Sequence, residues 1–212
     1  GTAGPAWDEE SPGKSVLKQN RSSEETGTGK PDEIALKKEE RVQEKADLKE
    51  EIEARRQALD RESENLGAAE QKVQRNQNAV KLAVHSLLAA QKLGAFENSP
   101  GVGEQVSEFT RYFNNSVQAS IRAEEKIEQR SSFLRFLAGG DKEAAGELQQ
   151  MVIENRARIR EMKRLIEDCG CDSETKQVLQ EQLAQMEQEQ TRLEEQAADE
   201  LGSKGLLGWM WK

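Results

Sequence analysis

Residues 52–87 read IEARRQALDRESENLGAAEQKVQRNQNAVKLAVHSL, and Ile52, Leu59, Leu66, Val73, Val80 and Leu87 stand in this stretch at intervals of seven. Glu, Lys, Arg, Gln and Asn fill most of the gaps, and Gly67 is the one helix-weakening residue between Pro31 and Gly94. A strand repeats every second residue, whereas a sevenfold repeat held this long belongs to a helix that lays one thin apolar seam on a partner. The expected fold is therefore all-α. Long helices would form an antiparallel four-helix bundle or coiled-coil hairpins, with a protruding N-terminal helical arm.

Working toward the N-terminus, residues 1–31 are rich in Gly, Ser, Thr, Pro, Glu and Lys, with Trp7, Val16 and Leu17 too few to build a core. This composition predicts a disordered lead. Pro31, Asp32 and Glu33 suit a helix start, since proline fits the first helical position and the dipole favours acids there. From that point the spacing allows one helix to Lys92, about 90 Å long at 1.5 Å per residue. Its halves differ. Residues 32–64 offer about one strong apolar position per heptad, which predicts an extended arm that projects or pairs with another chain. From Ala79 to Leu93 the apolar face widens and suits the interior of a bundle.

Working toward the C-terminus, Asn98, Ser99 and Pro100 mark a reversal, with Ser99 and Pro100 as helix-start residues. A helix over about 102–138 follows, with Val106, Phe109, Phe113, Val117 and Ile121 on one face. Phe133, Leu134, Phe136 and Leu137 make its end the most apolar part of the expected fold. Gly139 and Gly140 stop it, and Asp141 can cap a helix over 142–168. Cys169-Gly170-Cys171 forms a tight turn, and Asp172 or Ser173 caps a last helix over 173–201. That helix carries Leu179, Leu183, Met186, Gln190, Leu193 and Ala197 in register. With a first bundle helix over 65–92, the bundle is expected to span 65–201. Residues 202–212 form a tail rich in tryptophan.

Composition narrows function. The 212 residues are 33% charged and 4% aromatic, with net charge -9, and mean hydropathy is -0.89. This suits elongated helices with wide solvated faces. A net acidic chain is not expected to bind nucleic acid, which needs a basic surface; the cations of 156–164 alternate with Glu and read as a solvated face. No run approaches the roughly 20 apolar residues of a membrane span. The compartment stays open, export or a cell-envelope location included if a signal peptide has been removed.

No phosphate loop, metal-binding His-x-x-x-His pair or nucleophile elbow occurs, so no catalytic, metal or cofactor site is expected. His85 is the only histidine and reads as a boundary residue of a helix. Cys169 and Cys171, the only cysteines, offer a disulfide closing the turn or a redox pair. Asn20-Arg21-Ser22 and Asn114-Asn115-Ser116 match the glycosylation triplet, which arises often by chance.

The tail is the most suggestive patch. Leu206, Leu207, Trp209, Met210 and Trp211, flanked by lysines, can touch a partner or a membrane, or can fold back on the bundle end near Phe133, Phe136 and Leu137. Fold-back is slightly favoured. Glycines at 202, 205 and 208 argue against a continuous amphipathic helix there. The expected function is a non-catalytic helical scaffold or interaction protein working through coiled-coil-like packing, by self-association or with a protein partner. The alternatives are a peripheral membrane or envelope-associated protein held by the tail, and a redox-active helical protein.

Overall fold

The computed structural model of the chain describes residues 31–209. The lead over 1–30 and the tail residues Met210, Trp211 and Lys212 lie outside that range. The described residues form helices and turns without a strand, so the protein is all-α: α1 (Pro31–Ser63), α2 (Ala68–Lys92), α3 (Val102–Gln129), α4 (Ser132–Ala138), α5 (Lys142–Asp168), α6 (Ser173–Gly202) and α7 (Leu206–Trp209).

Four long helices close a ring in which α2 packs on α3, α3 on α5, α5 on α6 and α6 on α2. Contacts at the two ends show how the chain alternates between them. The Gly170 amide donates to Ser99 Oγ at 2.7 Å, which joins the α5–α6 turn to the α2–α3 loop. At the other end Arg192 of α6 reaches the Lys72 carbonyl of α2 at 2.9 Å and Glu124 of α3 at 2.6 Å. Ser99 is thus an acceptor for the neighbouring turn; α3 starts two residues after Pro100, behind Gly101 at φ 86°, a left-handed backbone that glycine adopts without a steric penalty.

The single helix expected from Asp32 to Lys92 is two helices. Glu64 to Gly67 turn the chain, with Leu66 half-buried in the turn, and α1 folds back on α2 and α6. Leu48, Ile52 and Leu59, assigned above to a projecting arm, are buried in the bundle. A continuous helix would leave these three in water, while burying each stabilises by roughly 1.5–3 kcal/mol. Gly67 already costs a continuous helix about 1 kcal/mol relative to alanine, so reversing there gives up only a few hydrogen bonds of net about 0.5–1.5 kcal/mol each. Burial wins. The turn is held by Asn78 donating to Ser63 Oγ at 3.2 Å and Gln71 donating to the Leu66 carbonyl at 3.0 Å. Upstream of Leu48 the described side chains of α1 are exposed, so the projecting part starts there and is shorter than the sequence suggests.

Two apolar clusters fill the bundle. The larger gathers Val80, Leu87, Phe96, Phe109, Phe113, Ile159, Met162, Leu179, Leu183 and Met186, with Leu48, Ile52 and Leu59. The smaller holds Ala123, Ile127, Ala144, Ala145, Leu148, Val152, Leu193 and Ala197. A belt of buried polar side chains separates them. Tyr112 and Ser116 donate to Asn155 Oδ1 at 3.0 and 2.9 Å, and Asn155 Nδ2 donates to Gln190 Oε1 at 3.0 Å. Asn76 donates to Ser120 Oγ at 3.1 Å. Buried polar groups cost several kcal/mol if orphaned, so a helix slipping in register would forfeit these partners.

Candidate functional site

The helix expected over 102–138 stops at Gln129. Arg130 takes an extended backbone, and Ser131 Oγ accepts from the Leu134 amide at 3.1 Å, capping α4 as a separate seven-residue helix. The residues expected to be the most apolar part of the fold stand in solvent: Phe133 is 70% exposed, Phe136 60% and Leu134 46%. The tail folds back as α7 beside α4, but leaves them open and adds Leu206 and Leu207, 40% and 49% exposed. Trp209 closes α7, and Met210 and Trp211 lie outside the described residues.

This exposure is held in place. Arg130 Nε donates to the Gly139 carbonyl at 2.8 Å, and Arg135 donates to the Ile127 carbonyl at 2.8 Å and to Glu200. Glu200, buried, also accepts from the Asp141 amide at 2.6 Å. Asp141 caps α5 by accepting from the Ala144 amide at 3.0 Å. The tail crosses this junction with backbone against backbone: Gly140 donates to the Ser203 carbonyl at 3.2 Å, and a side chain on Gly205 would strike the Gly139 amide and the Leu137 carbonyl. Arg130, just before α4, and Arg135 within it are thus bonded to the bundle, while Phe133 and Phe136, three residues apart on one face, are exposed.

The other apolar side chains left in water, Leu36, Leu88, Leu93 and Ile153, lie on α1, on or just after α2 and on α5, away from this end; scattered apolar exposure of this kind is ordinary. Phe133, Leu134, Phe136, Leu206 and Leu207 instead fall on two short helices that pack against each other. Leaving Phe133 and Phe136 outside forgoes roughly 1.5–3 kcal/mol each.

Beneath the patch lies a charged cluster that the sequence reading missed. Glu124 is fully buried; Arg192 donates to it at 2.6 Å, to Glu189 at 2.7 Å and to Gln196 at 3.3 Å. Gln196 in turn donates to Glu128 at 2.9 Å. Burial raises the Glu124 carboxyl above its ordinary range against the pull of Arg192. Burial also works to lower the Arg192 guanidinium, but its bonds to Glu124 and Glu189 outweigh that and raise it. The 2.6 Å contact favours the paired, ionised form. This cluster holds α2, α3 and α6 together. Arg192 also borders an open depression with Lys72, Glu128, Arg135, Glu195 and Asp199.

The remaining sequence candidates are dispersed. Ile52, Leu59, Val73, Val80 and Leu87 of the seam are buried within this chain. His85 Nε2 of α2 lies 3.2 Å from Glu51 Oε1 of α1. Cys169 and Cys171 are bonded to each other at the far end of the bundle; Cys169 packs into the larger cluster and Cys171 lies against it. Asp172 caps α6 by accepting from the Thr175 amide at 3.0 Å. An open depression between α1, α2 and α6 is bordered by Arg56, Asp60, Arg75 and Glu189. Among the described residues no three His, Cys, Asp or Glu side chains converge as a metal site, and no helix is long and apolar enough to cross a membrane. No family model, curated protein or solved structure matches the chain.

Proposed function

We propose that the protein is a non-catalytic helical interaction module, a bundle that presents the α4–α7 surface to another molecule. The observation that carries this reading is the contiguous exposure of Phe133, Leu134, Phe136, Leu206 and Leu207 over a junction that fixes α4 and α7 to the bundle. Large apolar side chains held outward by part-buried arginine bonds suit contact better than folding. The polar belt and the Glu124–Arg192 cluster fit a rigid support, since each helix is keyed to its neighbours.

The test is a photo-crosslinking side chain placed at Phe136, with one at Ile153 as control in the cells that make the protein. Ile153 is equally exposed but stands on α5 among Gln149, Gln150 and Glu154. The expected result is a discrete crosslinked product, whether protein, second copy or lipid, from position 136 and little from 153. Equal, diffuse labelling from both positions, or none from 136, would remove the proposal.

A further inference from the structure

We infer that α1 exchanges between two copies of this chain: the turn at 64–67 straightens, α1 and α2 become one continuous helix, and each α1 docks on α2 and α6 of the other copy. This exchange is independent of the α4–α7 contact. Sequence is its first support. Ile52, Leu59, Leu66, Val73, Val80 and Leu87 keep their sevenfold spacing straight through the turn, although a turn has no need of helical register. A straight monomer strands Leu48, Ile52 and Leu59 in water, whereas in a straight pair the second copy buries them. In an antiparallel pair centred on Leu66, Ile52 comes level with Val80 of the second copy and Leu59 with its Val73. The two Leu66 side chains then meet, where the turn leaves Leu66 only half-buried.

The seat and the hinge suit the exchange. The ring of α2, α3, α5 and α6 closes without α1, so α1 can leave without opening it. Among the described residues of α1, only Leu48, Ile52 and Leu59 are buried. An open depression bordered by Arg56, Ser63, Arg75 and Gln185 lies between α1, α2 and α6, and Arg56 Nε is buried without a hydrogen-bond partner. The fit of α1 is therefore looser than that of the ring helices, and freeing it takes local opening, which costs less than global unfolding. At the hinge, Gly67 caps α2 at φ -64° with no side-chain hydrogen bond, and a Cβ built there meets nothing within 4 Å. The turn does not require glycine. A short turn that a helix can replace is the setting in which identical chains swap elements.

The experiment is size exclusion with light scattering on the full chain, after incubation over a range of concentrations. Wild type should show a dimer beside the monomer, in a fraction that grows with concentration. Gly67→Ala removes the glycine penalty from two straightened hinges, about fivefold each, so the dimer association constant should rise by about twenty-fivefold. Three glycines inserted after Leu66 break the straight helix and should remove most of the dimer. Glu51→Cys with His85→Cys, placed in the Gly67→Ala chain, then identifies the route. Glu51 Oε1 and His85 Nε2 lie 3.2 Å apart, whereas one straight helix holds these positions about 50 Å apart. A short bis-maleimide should therefore link the two positions within each monomer and only between the chains of the dimer, as read on a denaturing gel. Dimers whose chains are linked internally, a dimer indifferent to the glycine insertion, or no dimer from either wild type or Gly67→Ala would overturn the inference.

Discussion

The two ends of the bundle treat aromatic side chains in opposite ways. Toward the Cys169–Cys171 end, Phe96, Phe109 and Phe113 are buried among Val102, Met162, Ile166 and Leu179, with the Phe109 and Phe113 rings 4.5 Å apart between centres and tilted by 44°. At the α4–α7 end the interior is built from Ala123, Ala144, Ala145 and Ala197 with a few larger residues, and Phe133 and Phe136 stand outside. Side chains of one type therefore serve cohesion at one end and remain available for contact at the other.

The largest effect that sharpens this contrast is expected at Phe113, fully buried. Phe113→Ala should cost roughly 3–5 kcal/mol in urea unfolding, the range for a truncated buried aromatic; a loss below 1 would mean that the far end is loosely packed. Next is Arg192. Arg192→Met strands Glu124 in the interior, and breaking a buried pair costs about 3 kcal/mol, the low end being appropriate because Arg192 is partly exposed. Retention of wild-type stability would show that water, not Arg192, satisfies the carboxylate.

Gly205→Ala acts on the surface end alone. Its new methyl meets backbone that cannot move aside as a side chain could, so a cost of about 1–3 kcal/mol is expected. Hydrogen exchange should speed up at Gly140 and Ser203 while α5 and α6 stay protected. Uniform acceleration through the bundle would contradict the separation of the two ends.

A smaller effect concerns pH. Because burial raises the Glu124 carboxyl, the folded state binds that proton more tightly than the unfolded chain. The stability from this group is fully present below the unfolded value, and is lost as pH rises through the raised folded value. Wild type should therefore lose stability relative to Glu124→Gln across that rise, measured as the difference between their urea midpoints. A difference that stays flat with pH would place Glu124 in the ordinary range.

Much of the helical pattern was legible in sequence because it depends on local spacing. Asp141 and Asp172 cap α5 and α6 as their positions before apolar-periodic runs suggest, and the register from Leu179 to Ala197 is buried along α6. Even the polar belt left a trace, since Gln190 interrupts that register and Asn155 stands between Val152 and Ile159. What local spacing could not show was direction. A sevenfold repeat runs from Ile52 to Leu87 whether the chain continues straight or reverses at Gly67, and only the balance of burial against a broken helix decides that. The cluster Phe133-Leu134-Arg135-Phe136-Leu137 reads as core by composition. Its outward face follows from Arg130 and Arg135 being claimed by the Gly139 and Ile127 carbonyls and by Glu200, bonds across a chain break and to a distant helix that apolar periodicity does not reveal.

The smallest expected effect bears most directly on the central claim, that the apolar surface at the α4–α7 end is built for contact and contributes little to folding. Urea unfolding of Phe133→Ser with Phe136→Ser should match wild type within about 0.5 kcal/mol, as surface substitutions do. A loss of several kcal/mol, comparable to that of Phe113→Ala, would mean that these rings belong to the core and would contradict the account.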